Sequence, residues 1–117
     1  MKKRSRLVES RLRSVVFRFN VAYDTNADRA MAVIRGAVEE SPCAVPGKPG
    51  KNGLEYGPVY FIEYASSSLV MATTVYFESK YATEVVKSDI NARVKRALDE
   101  AGIEIPYDYV NIVMNEK

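Results

Sequence analysis

Apolar and polar residues alternate from Ser14 to Tyr23. Val15, Phe17, Phe19, Val21 and Tyr23 point one way, and Val16, Arg18, Asn20 and Ala22 point the other. A period of two over this length predicts a half-buried strand over residues 14–23. The period then changes. Ala30, Met31, Ile34, Ala37 and Val38 recur at helical spacing, with Thr25 predicted as the N-cap and Asp28 placed to favour the positive end of the helix dipole. Ser41-Pro42 ends the helix, because a residue before proline avoids the helical region.

Residues 42–58 carry Pro42, Pro46, Gly47, Pro49, Gly50, Gly53, Gly57 and Pro58 and read as a long mobile loop. Val59–Tyr64 and Ser68–Phe77 are rich in β-branched and aromatic residues. Joined by a turn at Ala65-Ser66-Ser67, they predict a hairpin. Ser79 is the predicted cap of a second helix, whose apolar stripe is Val86, Ile90, Val94, Ala97, Leu98 and Ala101. Gly102 stands where a C-cap glycine belongs, and Pro106 follows. A last extended run, Tyr109 to Asn115, places Val110, Ile112 and Met114 on one face.

Strand, helix, strand, strand, helix, strand is the order of a ferredoxin-like βαββαβ sandwich. The predicted fold class is α+β, with two helices on one face of a four-stranded antiparallel sheet. Residues 1–13 read as a basic linker and 14–117 as the domain. The sheet face away from the helices stays available for a partner. Tyr60, Tyr64 and Tyr76 lie on the hairpin, and strand alternation turns some of these amphipathic rings outward, which suits a protein–protein surface.

The composition narrows the chemistry. With 117 residues the chain fits one domain. It has no histidine, so histidine-based acid–base catalysis, serine or cysteine triads and most zinc sites are excluded. A single cysteine, Cys43, allows no internal disulfide. No Gly-rich phosphate loop precedes a helix, and Asp24 and Asp28 are explained by helix capping. The expectation is therefore no enzyme, no catalytic residue, no cofactor and no metal. Net charge is only +2, yet Lys2, Lys3, Arg4, Arg6, Arg11, Arg13 and Arg18 crowd the start against Glu9 alone, in the manner of a solvated linker. No apolar run approaches the roughly twenty residues that span a bilayer, so this piece reads as soluble. Phe61-Ile62-Glu63-Tyr64 matches half of an RNA-recognition signature, but its basic-glycine half is missing. No nucleic acid is expected.

Three segments together resemble the C-terminal domain of the small-conductance mechanosensitive channel (MscS) family. They are Arg13 with Val15-Val16-Phe17-Arg18-Phe19, Val21 and Tyr23-Asp24-Thr25; Phe61, Glu63-Tyr64 and Ser67-Ser68-Leu69; and Ala101-Gly102-Ile103-Glu104-Ile105-Pro106-Tyr107. Asn20 stands where the family often has glycine, Ala65-Ser66 replaces the Gly-Asp of its turn, and Asp108 replaces a second proline. The Gly/Pro stretch 42–58 is longer than usual. The resemblance implies a homo-heptameric channel on the cytoplasmic side of the bacterial inner membrane, with transmembrane and middle β domains that this chain lacks. The domain then supports subunit assembly and shapes a vestibule, or cage, that ions and solutes cross. The final strands of the copies can gather into a small barrel. Candidate subunit-interface residues are Tyr60, Tyr64, Tyr76, Tyr109, Val110, Ile112 and Met114. The alternative is a ferredoxin-like small-molecule regulatory or RNA-binding module.

Overall fold

A computed structural model describes residues 12–106. Strand β1 (Leu12–Ala22) starts two residues before the predicted strand, so Leu12 and Arg13 belong to the sheet. Helix α1 (Ala27–Glu39) follows, then three short strands, β2 (Ala44–Val45), β3 (Lys48–Gly50) and β4 (Gly53–Glu55). Next come β5 (Val59–Tyr64), β6 (Ser68–Glu78) and helix α2 (Thr83–Glu100).

The hairpin is present: β5 and β6 pair antiparallel, and β6 is the central strand. β1 lies antiparallel along one edge of β6, in unbroken register from Leu12↔Glu78 to Ala22↔Ser68. The other edge is shared end to end. β5 pairs with Leu69 to Thr73, and β2 pairs with Tyr76 and Phe77. The sheet thus has four strands, and β2 is one of them. The run Tyr109 to Asn115 lies outside the described residues.

The alternation read from β1 decides the core. Phe17 and Val21 are buried, while Val16 is 64% exposed. Their partners on β6 share a face, and Leu69, Met71, Val75 and Phe77 are buried beside them. Ala30, Ile34, Ala37 and Val38 of α1 and Val86, Ile90, Val94 and Leu98 of α2 pack onto this one face in a single cluster. Tyr23, grouped with the inward set, lies past the end of β1 and is exposed, because the chain turns there.

The caps differ from those predicted. Asn26, not Thr25, caps α1, its side-chain oxygen accepting from the Arg29 N–H at 3.0 Å. Asp28 sits in the first turn as read. Ser79 does not cap α2: the N-cap is Ala82, with no side-chain bond, and the residues after β6 make a turn closed by Tyr81 N–H to the Glu78 carbonyl. Arg13 instead steadies that end, donating to Thr83 Oγ1 at 3.0 Å and lying 5.5 Å over the Phe77 ring. At the far end the glycine reading holds. Gly102 has φ +74°, and Ile103 N–H and Gly102 N–H return to the carbonyls of Leu98 and Asp99, a Schellman closure.

Residues 42–58 are built rather than loose, which corrects the mobile-loop reading. Ser41 Oγ accepts from Cys43 N–H and donates to Asp89 of α2 at 2.5 Å. β3 and β4 form a small ribbon, closed by Gly47 N–H to the Glu55 carbonyl. Gly47 is so close to Tyr76 that a Cβ there would sit 2.4 Å from the ring's Cγ. The prolines and glycines that break regular structure are also the residues that permit this close approach.

Candidate subunit interface

Strand parity leaves the second face of the sheet without a helix among the described residues. Val16, Arg18 and Asn20 of β1 share it with Ala72, Thr74 and Tyr76 of β6, which are their paired or adjacent positions. Tyr60 joins from β5, opposite Ala72. Val16 at 64% and Tyr60 at 56% exposure are its outstanding apolar members. Tyr76 is on the same face, four residues along β6 from the partner of Tyr60, and is half-covered by the ribbon at Gly47. Sequence reasoning placed Val16 on this side without naming it as a candidate, although the same alternation marks it.

Tyr64 does not join them. The β5–β6 register shifts between Phe61 and Glu63, which makes Ile62 a bulge residue and returns Tyr64 to the helix side, opposite Leu69. There its ring meets Phe61 edge-on at 5.0 Å and Tyr23 at 6.1 Å. It is still 69% exposed, at the end of the sheet. Phe61 and Tyr64, the two aromatic residues of the half-matched RNA signature, thus both lie on the helix side, Phe61 packed against the core, and neither shares the open face with Tyr60. Tyr109, Val110, Ile112 and Met114 lie outside the described residues.

One edge of the sheet is also open. On the outer side of β1, Ala22 N–H donates to the Glu104 carbonyl at 2.9 Å, and among the described residues no strand pairs along that side. An exposed strand edge is a template for another strand. The surface thus sets the exposed side chains of Val16 and Tyr60 among polar neighbours, Arg18, Asn20 and Thr74, beside an open edge, and among the described residues no group of three or more acidic or cysteine ligands is placed to hold a metal.

The family model described as the C-terminal part of the mechanosensitive ion channel MscS matches residues 15–105. The chain belongs to that family. This MscS C-terminal domain has the fold expected of it, α+β with two helices against an antiparallel sheet. MscS of Helicobacter pylori in its closed state is similar in structure, with a TM-score of 0.66 and 23% sequence identity over 82% of the chain. The chain corresponds to 35% of the length of that channel subunit. No curated protein sequence matches it significantly. Among the described residues no helix is long and apolar enough to cross a membrane.

Proposed function

We propose that this domain is the cytoplasmic vestibule module of a mechanosensitive channel. It holds copies of the subunit in register beneath a pore that other parts of the protein supply. In this reading the assembled protein is a homo-heptamer on the cytoplasmic side of the bacterial inner membrane. Ions and small solutes pass through the cage, and the domain makes or breaks no covalent bond.

The observation that carries the reading is the uncovered sheet face bearing Val16 and Tyr60 beside the open edge of β1. A monomer gains nothing from exposing this apolar strip and edge together, whereas a ring of copies buries both. Tyr60 and Tyr76 are interface residues on that face. Tyr64 contributes from the end of the sheet, and Tyr109, Val110, Ile112 and Met114 from the C-terminal run. The family membership supplies the channel context. The basic residues before Leu12 serve as the link to the middle domain.

Native mass spectrometry of the channel subunit with its membrane and middle domains tests the reading, the expected result being a seven-subunit mass. A closed dimer held through the sheet faces refutes it. Patch-clamp recording of that protein under tension is expected to show conductance, and an enzymatic turnover without conductance would overturn the assignment.

A further inference from the structure

The sequence holds one Asn-Gly step, Asn52-Gly53. The fold places it at the tip of the β3–β4 ribbon, where Lys51 and Asn52 make the turn and Gly53 pairs with Gly50. Asn52 and Gly53 are both exposed, and the Asn52 side chain has no hydrogen-bond partner among the described residues. Gly53 has φ +112°, and nothing lies within 4 Å of the place its Cβ would take. Its backbone nitrogen therefore has no side chain of its own to screen it from the Asn52 amide. The ribbon is also lightly held. It forms a sheet of its own, three pairs long, and its last pair is two glycines, which offer no cross-strand side-chain contact. Opening such a tip costs far less than unfolding the domain.

We propose that Asn52 is a site of spontaneous deamidation in the folded protein. When the tip opens, the Gly53 backbone nitrogen attacks Cγ of Asn52. The N–Cγ bond forms, the Cγ–Nδ2 bond breaks, and ammonia leaves with the proton of the Gly53 amide, so a succinimide ring remains. Water then opens the ring at either carbonyl. Breaking N–Cγ gives aspartate at position 52. Breaking the bond to the backbone carbonyl carbon gives isoaspartate, whose main chain runs through Cβ and Cγ. The chain acts on itself and turns over no solute. Both products place a negative charge beside Lys51, and isoaspartate also lengthens the turn. The ribbon closes by Gly47 N–H on the Glu55 carbonyl, with Gly47 against the Tyr76 ring, and the longer turn loosens that closure. None of this depends on the vestibule reading.

The full 117-residue protein is aged at mildly alkaline pH, native and in urea, then digested for peptide mapping by mass spectrometry. In the native protein, aspartate and isoaspartate are expected to accumulate at position 52, faster as pH rises, while Asn20, Asn26 and Asn91 keep their amides. Asn52→Gln, whose longer side chain must close a larger ring, is expected to lose the conversion. A native chain that keeps its Asn52 amide while the urea-unfolded chain converts completely overturns the proposal, because the ribbon then protects the step. Conversion led by another asparagine overturns it too. Hydrogen exchange separates the two consequences. Faster exchange at Gly47 is expected in the isoaspartate fraction and not in freshly made Asn52→Asp, which gains the charge alone. Equal exchange in the two refutes the loosening of the ribbon.

Discussion

Asn20 Nδ2 donates to Ser68 Oγ at 2.9 Å, across the paired strands β1 and β6. The bond ties the last turn of β1 to the residue that starts β6, and Ser68 is buried. Asn20→Gly removes the donor and loosens a strand interior. The expected loss is about 1–2 kcal/mol, read as a lower urea midpoint at unchanged m-value. A double-mutant cycle of Asn20→Ala with Ser68→Ala isolates the bond, and additive single effects would show that it contributes nothing.

Two glycines respond in opposite directions to the same substitution. Gly36 lies in α1 with no atom near a built Cβ, so Gly36→Ala is expected to stabilise by about 0.5–1 kcal/mol. Gly57 is buried, and its Cβ would fall 2.3 Å from the Thr74 carbonyl oxygen. That atom is backbone of the central strand and cannot step aside cheaply. Gly57→Ala is expected to cost about 1–3 kcal/mol or more. Thermal melts of the two variants check the sign of each.

Asp89 joins two parts of the fold that are 48 residues apart. It accepts from Ser41 Oγ at 2.5 Å and from Arg93 Nε at 3.0 and 3.2 Å. The Arg93 pair is a partly exposed i,i+4 contact and contributes only a few tenths of a kcal/mol. Ser41 is buried and also holds Cys43 N–H, so losing Asp89 leaves its hydroxyl short of an acceptor. Asp89→Ala is expected to cost about 1–2 kcal/mol, mostly through Ser41. Hydrogen exchange checks the location: faster exchange at Cys43 and Ala44, with the α2 interior less affected, is the expected pattern. A uniform change across the domain contradicts it.

Val16→Lys and Tyr60→Lys separate folding from assembly. Both side chains are exposed, so the detached domain is expected to keep its stability within about 0.5 kcal/mol. In the full channel subunit, charges on this face are expected to reduce the oligomer fraction in native mass spectrometry. An undiminished oligomer with both substitutions combined removes this face from the interface.

Much of this was readable from residues in order. A strict period of two from Val15 to Val21 fixed which side of β1 is buried, because a strand's side chains alternate whatever it pairs with. Helical spacing gave the inner stripes of α1 and α2, and Gly102 marked a helix end because a left-handed φ favours glycine. Cap residues were less legible. Thr25 and Asn26 are adjacent and both able to cap, and only the direction in which β1 delivers the chain selects Asn26. Ser79 has the right chemistry, but the turn at Glu78–Tyr81 places it before the helix begins.

What the chain alone determined is local: the periodicities, the stops and the residue types, and through them the fold class and the family. The tertiary structure decided whatever depends on a distant partner. The bulge at Ile62 sends Tyr64 to the opposite face from Tyr60, and nothing in Val59–Tyr64 marks it, since one inserted residue inverts parity only relative to β6. The ordering of residues 42–58 depends likewise on Tyr76 and Asp89, both more than 20 positions away from the glycine and serine that meet them. A proline- and glycine-rich composition states what a segment cannot form by itself. It is silent about the surface on which that segment comes to rest.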